Sequence, residues 1–574
     1  VFNQVAPDIH ANGAPTISDY ANRTFSTQQL NAGLTVHLDY AFNDRNKITL
    51  TNILLYTDIA QARLIIDTSI LGGNGGRTVP GTGPVSTDYT SLTSHQLLEN
   101  IKLDGKHILS KHFLVDWVGV YSYAAKRVPD YADLSLNKKI DTVHTNNDIH
   151  GPYSFVVTPD YFDAITRIWQ HNQDIDLSGM ANFSYRSALS DNKSLEIRMG
   201  GLYRHKIRYN IQDEYDLKPT TTSAGIKQQF TDIYTAQWIV YNSSGTYDYD
   251  KNKYQVYENI AAGYAEARYS STFLDAVGGV RIENTEQGYT LNTFYATGIN
   301  GIDKKYTDVL PSIDLKFKLN SKTNLRATYY AAVARPNYYD LVPGQRLSTT
   351  SANTTEGNPY LLHTTSNNYD IRYEFYPNED EQIFAGVFYK KLFNPIEFEY
   401  RSGTDYQPVN TPEATDYGFE LAFTKYFGTW FGITGNYTYL NSSTSSVKSY
   451  YDIPNNYINT DTLEKRTLQG QTDHTFNISL LYRNKKSNFF AELAFQYIGR
   501  SIGLVYPIYG YDYYQQPQAN LAFSAEKGLG NRHFTVFTKW NNLLNTQYKY
   551  QINNILVSRE TTQFNFSFGI RYEN

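Results

Sequence analysis

Apolar and polar residues alternate with a period of two from one end of the chain to the other. Near the C-terminus Phe564, Phe566, Phe568, Ile570 and Tyr572 fall on one face, with Asn565, Ser567, Gly569 and Arg571 on the other. Leu34, Val36, Leu38, Tyr40 and Phe42 repeat the pattern near the start, and Ile313, Leu315, Phe317 and Leu319 in the middle. Such alternation predicts β-strands with one apolar face. We place about nineteen of them, the first near 29–42, the third and fourth near 92–104 and 107–124, and the last near 561–572.

A soluble sandwich would alternate in the same way, with its apolar residues inward. The connections separate the two. Asn43–Asn46, Asn320–Thr323, Lys485–Ser487 and Gly528–Arg532 are short and made of turn residues, whereas 64–91, 125–173, 209–256, 336–366 and 442–471 are long and polar. Short turns on one side and long loops on the other are the sidedness of an outer-membrane barrel. The expected fold is therefore all-β, a large antiparallel transmembrane β-barrel with periplasmic turns and extracellular loops.

Composition fits this reading. The chain has 574 residues, with 52 tyrosines, 30 phenylalanines and no cysteine. Tyrosines at strand ends (Tyr40, Tyr56, Tyr121, Tyr123, Tyr376, Tyr400, Tyr417, Tyr439, Tyr482, Tyr497, Tyr572) suit an interfacial girdle, apolar at one end and wet at the other. Mean hydropathy of −0.50 and the lack of a long apolar run exclude transmembrane helices but not strands. A net charge of −5 argues against a nucleic-acid partner. Without cysteine there are no disulfides, thiolate metal sites or cysteine nucleophiles. Mid-strand charges such as Asp39, Asp116, Arg198, Asp314, Lys316, Arg326, Glu420 and Glu492 need a lumen wide enough to be wet or to hold a plug, which about nineteen strands provide.

The search for catalytic chemistry returns bland readings. No nucleophile elbow, P-loop, His-Glu-x-x-His or dinucleotide fingerprint occurs, so the chain is not read as an enzyme. Asp248–Asn252 opens like a calcium loop, but Lys253 stands where glycine is needed and Asn259 where glutamate is needed. His95, His107 and His112 have no ligand spacing, and Asn378-Glu379-Asp380-Glu381 reads as a solvated turn. No cofactor or metal is expected.

One region carries a resemblance. Arg335 and Pro336 follow a strand, then come Gly357-Asn358-Pro359, Ser366–Pro377 and the strand Ala385–Leu392. Downstream lie Gly418-Phe419-Glu420-Leu421 and Tyr497-Ile498-Gly499-Arg500-Ser501. These stretches resemble the barrel of TonB-dependent receptors, closely over 255–574 and by strand rhythm over 29–208. The pattern departs where Leu362 and His363 replace the family's Lys and Pro. The resemblance implies Arg335, Pro336, Gly357, Asn358 and Pro359 as structural signature residues, with binding residues left open.

It also implies an outer-membrane transporter of a Gram-negative bacterium, taking up a metal chelate, vitamin, glycan or peptide. Its partners would be outer-membrane lipid and lipopolysaccharide, a plug domain of the same protein, the TonB complex and a surface lipoprotein or other outer-membrane subunits. The rivals are a scaffold barrel in a multi-protein assembly and a passive porin. The family's barrel has 22 strands, so 29–574 is expected to lack about three strands, the plug and the signal, with 1–28 as an extracellular loop segment.

Overall fold

The computed structural model describes the chain except residues 1, 10–14, 70–81, 145–152, 158–160, 221–236, 242–252, 292–300, 344, 348–353, 403–404, 453–456, 531–532 and 573–574. Nineteen strands follow one another round a single antiparallel sheet. The first six are tall: β1 (Pro15–Asn43), β2 (Asn46–Ser69), β3 (Gly83–Ile108), β4 (Phe113–His144), β5 (Tyr161–Ser190) and β6 (Lys193–Pro219). Then come β7 (Tyr254–Ser270), β8 (Leu274–Leu291), β9 (Gly301–Asn320), β10 (Thr323–Ala334), β11 (Thr364–Asn378), β12 (Glu381–Phe393) and β13 (Glu413–Phe427). The rest are β14 (Phe431–Asp452), β15 (His474–Asn484), β16 (Phe489–Ile498), β17 (Gln518–Leu529), β18 (Phe534–Asn541) and β19 (Asn565–Tyr572).

Turns of two to four residues join the odd-to-even pairs from β1/β2 to β17/β18, and long connections join the others. Asparagine makes several of these turns. The side-chain oxygens of Asn43, Asn320, Asn378 and Asn484 accept from the backbone N–H two residues on, at 2.9–3.1 Å. Each such bond reproduces a turn within the side chain's own reach.

The alternation emerges as two faces. Leu34, Leu38, Phe42, Val387, Phe419, Phe566 and Ile570 are all exposed on the outside of the sheet. Rings continue from strand to strand there, as in Tyr329, Tyr369 and Tyr389, with centroids 4.9 and 6.1 Å apart. On the inner face several of the mid-strand charges find cross-strand partners. Asp116 meets Arg198 at 3.1 Å, and Arg326 bridges Asp314 at 2.7 Å and Glu374 at 3.2 Å.

Five expectations change. The connections 64–91, 125–173 and 209–256, read as long loops, are in large part strand: β2 runs to Ser69, β3 starts at Gly83, β4 runs to His144, β5 starts at Tyr161 and β6 runs to Pro219. Residues 1–28 are not loop throughout: Phe2–Ile9 is a strand paired with the top of β1, from Phe2↔Arg23 to Ile9↔Pro15. Main-chain pairing there needs no alternation, and proline is tolerated because Pro7 sits at a bulge and Pro15 opens its strand. The turn expected between 104 and 107 lies at 109–112. His107 belongs to β3, held by Asn46 at 3.0 Å and by Trp117, whose Nε1 donates to it at 3.1 Å. Tyr400 is not in the girdle; it lies in a loop strand, Ile396–Ser402, stacked on Tyr506 at 4.6 Å. Glu381 is no solvated edge: it is buried, taking Lys425 at 2.8 Å and the Tyr426 N–H at 3.0 Å.

The sheet has a seam. Among the described residues Thr24–Asn43 of β1 pairs only with β2, and β19 pairs only with β18. At the loop side Phe2–Ile9 spans the seam, pairing with β1 and, through Phe2–Gln4, with Ser558–Glu560.

Candidate functional site

The functional surface of such a molecule is the inner wall and whatever crosses it. Acidic and basic side chains interleave along the wall. Asp176 holds Arg204 at 2.5 Å, Arg204 reaches Glu258 at 3.5 Å, and Arg208 binds Asp174 through both ends of its guanidinium. Such charge-assisted pairs are stronger than neutral hydrogen bonds and keep the wall polar.

A strap folds from the loop side onto this wall. It leaves β10 at Arg335 and returns at β11, and the residues flagged as signature lie in it. The Arg335 guanidinium binds Glu283 at 2.5 Å and the Thr285 hydroxyl at 2.8 Å, both on β8. The Pro336 carbonyl accepts from Gln287 Nε2 at 3.2 Å. One helical turn follows, α1 (Tyr338–Leu341), whose Tyr338 and Tyr339 rings lie under Lys206 at 4.7 Å and Arg208 at 4.5 Å. Burial pushes the Tyr338 phenol well above its ordinary range, and the nearby Glu258 carboxylate adds to this.

The second signature group closes on the first. The Asn358 N–H donates to the Asp340 carbonyl at 2.6 Å, and its side chain donates to the Pro408 carbonyl at 3.0 Å. At Gly357 any Cβ would stand 1.9 Å from the Val342 carbonyl oxygen, so only glycine allows the approach. Gly357 and Pro359 are buried. Leu341, Val342 and Leu361 pack with Tyr254, Val256, Tyr289 and Leu291 of β7 and β8 in an apolar cluster. His363, at the departure from the family pattern, stacks on Tyr306 of β9 at 3.9 Å and meets Asp308 at 3.0 Å.

A second loop cluster had no sequence signal. Arg466 grips Glu397 with two hydrogen bonds of 2.8 and 2.9 Å, and Lys448 lies between Asp512 at 2.5 Å and Glu464 at 2.6 Å. Burial raises the Glu397 carboxyl, but Arg466, Thr411 and the Gln469 N–H outweigh it and hold the group below its ordinary value. Burial leaves Asp512 raised despite Lys448. Beside Arg466 is a cavity of about 570 Å³, rimmed by Thr411, Ser443, Ser445 and Glu399.

The three histidines do not converge. His95 meets Asp58 at 3.0 Å, His107 stays with Asn46, and His112 contacts the Arg186 carbonyl at 2.8 Å. No group of three or more His, Cys, Asp or Glu able to hold a metal occurs among the described residues. The calcium-like stretch at 248–252 lies outside the described residues.

Lipid-facing alternation, one-sided loops and a charge-paired inner wall define an outer-membrane β-barrel. The outer membrane protein beta-barrel family matches residues 165–574, and the chain belongs to that family. No curated protein matches the sequence. Among solved structures, the siderophore receptor PiuA from Acinetobacter baumannii is similar in fold, with 10% identity and a TM-score of 0.55. That match covers 100% of this chain and 81% of the receptor. The ferric-catecholate import receptor Fiu from E. coli K12 is similar at 11% identity and TM-score 0.53, over 95% of this chain and 82% of that one. At such identities the likeness carries the fold: the resemblance to TonB-dependent receptor barrels holds as architecture.

Proposed function

We propose that the chain forms the wall and mouth of a TonB-dependent outer-membrane transporter for a scarce nutrient. The observation that carries this reading is the strap laid across a polar, charge-paired inner wall, which suits a guarded passage better than an open pore. The fold shared with receptors named for siderophore and ferric-catecholate import supports it. In this reading the barrel makes and breaks no bond. A plug domain of the same protein would fill the lumen and contact the TonB complex.

The seam belongs to the same proposal. β1 and β19 both run from the loop side toward the turn side, so antiparallel closure needs an odd number of further strands between them. Unpaired backbone in lipid costs several kcal/mol per group, so strands of the same protein would fill the gap. A structure of the full-length protein tests this: Leu34–Phe42 should be paired on both sides, and direct pairing of β1 with β19 would overturn it.

Transport is tested by deleting the gene and measuring growth and radiolabelled uptake for ferric chelates, cobalamin, oligosaccharides and peptides. Energy-dependent loss for one class is expected. Unchanged uptake for every class, together with co-purification in a fixed outer-membrane assembly, would favour a scaffold.

A further inference from the structure

We propose that the inner wall of β14–β19 is a binding track for a neutral, hydroxyl-rich solute. The inference rests on the transport reading above and names a saccharide as its nutrient. Six amide side chains lie on that wall, one on each successive strand: Asn436, Asn477, Gln496, Asn520, Asn541 and Asn565. Ladder register sets them side by side, as Asn436↔Asn477, Asn477↔Gln496, Gln496↔Asn520 and Asn541↔Asn565. Their chain neighbours Tyr437, Phe476, Phe495, Trp540 and Phe566 carry rings on the outer face, which turns the amides inward. Asn477 Nδ2 donates to Asn436 Oδ1 at 2.8 Å, and Asn541 Nδ2 to Asn565 Oδ1 at 3.0 Å. Each amide has two donors and two lone pairs, so these bonds leave capacity facing the lumen.

This wall differs in kind from the one opposite. On the same strands, the inward positions two residues to either side of the amides hold Thr, Ser, Ala, Ile and Gln, with Lys539 the one charge. Along β4–β11 the inner face is instead closed by ion pairs such as Asp116–Arg198 and Asp314–Arg326. An uncharged wall gives an ionic solute little return for the hydration it loses. Amides donate and accept at once, as hydroxyl groups do, so the two match without charge. Weak bonds repeated over several sites hold a solute and still let it move on. The strands of such barrels are tilted by roughly 35–45°, so a row running straight across them climbs the wall obliquely.

The chemistry is sharpest on β17. Gln518 Nε2 and Asn520 Oδ1, two residues apart on the inner face, are shielded from solvent and have no hydrogen-bond partner among the described residues. One is a donor and the other an acceptor. A single hydroxyl accepts from the first and donates to the second, relieving both unsatisfied groups. A carboxylate or phosphate only accepts and an ammonium only donates, so each serves one of the two and opposes the other.

The test uses cells carrying the full-length protein, given radiolabelled neutral oligosaccharides (glucans, fructans and mannans) and, in parallel, an anionic ferric tris-catecholate. Energy-dependent uptake of a neutral oligosaccharide is expected. Asn477→Asp combined with Gln496→Glu keeps side-chain size but puts acceptor-only carboxylates on the track, and should cut that uptake several-fold. Asn477→Gln, which keeps the amide, should preserve it, with heat-modifiability showing each barrel folded. Uptake of the ferric chelate and of no neutral oligosaccharide would overturn the saccharide track and leave transport standing. Oligosaccharide uptake untouched by the double variant would also overturn the track. Uptake of neither solute class nor any other would strike the transport reading itself, and this inference with it. The parent's choice between the two solutes decides even if the double variant does not fold.

Discussion

The tall hairpins of β1–β6 and the short strands of β15–β19 span the same membrane by different means. The first six strands have 24–32 residues, while β15–β19 have 8–12. About 10 residues suffice to cross the hydrocarbon, so the tall strands carry their ladders well beyond it. The β4–β5 pairing runs from Phe113↔Tyr185 to Asn137↔Tyr161 with only two irregularities. Around β10–β19 the chain beyond the membrane instead folds back as a second layer. A small sheet of Gln345–Leu347, Thr354–Glu356, Asp405–Asn410 and Ile396–Ser402 is pinned through Glu397 to Arg466, and the buried Lys448–Asp512 pair ties β14 to the neighbouring loop. Main-chain ladders spread their stability over dozens of equivalent bonds. The folded loops concentrate theirs in a few side chains, so single substitutions should separate the two regions.

The largest effect is expected at Glu397→Ala. The Glu397 and Arg466 side chains are 2% and 4% exposed, and removing one member of a buried pair typically costs about 3–5 kcal/mol. Protease accessibility of 394–412 should rise sharply while the barrel stays heat-modifiable. An unchanged loop would mean that the second layer, like the ladders, rests on its backbone.

Next comes the lipid face. Phe566 is 59% exposed and in ring contact with Phe568 at 5.6 Å, so Phe566→Arg should cost about 2–4 kcal/mol near the midplane. Asn565→Arg, one residue along on the other face, should be tolerated. Equal losses in detergent unfolding would refute the register.

Acid should act on the folded loops before the ladders. Because Glu397 is held below its ordinary value of 4.5, its contribution is complete above that value and is lost as pH falls through its folded value. Asp512 has the opposite sign: raised in the fold, it favours the loops at low pH and opposes them as pH rises through its window. Glu397 lies in the loop strand Ile396–Ser402 and Asp512 outside it, so proteolysis at 394–412 reads Glu397. Followed downward from pH 5 it should accelerate in the parent and lose that acceleration in Glu397→Gln, where Asp512 is left to act in the opposite sense.

What the sequence disclosed follows the same division. Nineteen spanning strands were legible because lipid on one side and lumen on the other impose period two. Beyond the membrane both faces of a tall strand meet water, so alternation fades, and residues 2–9, 15–28, 64–69, 83–91, 125–144, 161–173 and 209–219 read as loop though they are strand. The loop layer was illegible for another reason. Glu397 and Arg466 stand 69 residues apart, Lys448 and Asp512 64, and no local pattern couples them. The signature Arg335, Pro336, Gly357, Asn358 and Pro359 was found only by resemblance, and the structure brings all five into one strap. His363 was visible as a departure from that pattern, without a hint of its partner 55 residues earlier.

The smallest effect is expected where a tall hairpin carries an ion pair near its turn. Arg186 and Glu196 meet at 3.0 Å, but the Arg186 side chain is 58% exposed. An exposed pair is screened by water and salt and must hold two long side chains in one geometry, leaving about 0–1 kcal/mol. The surrounding ladder continues on both sides of it, from Tyr185↔Ile197 to Ser187↔Leu195. Arg186→Ala should therefore shift detergent unfolding by less than about 1 kcal/mol, and high salt should erase even that. A loss as large as that at Glu397 would show that the tall hairpins also depend on individual side chains, and the contrast between the two regions would fail.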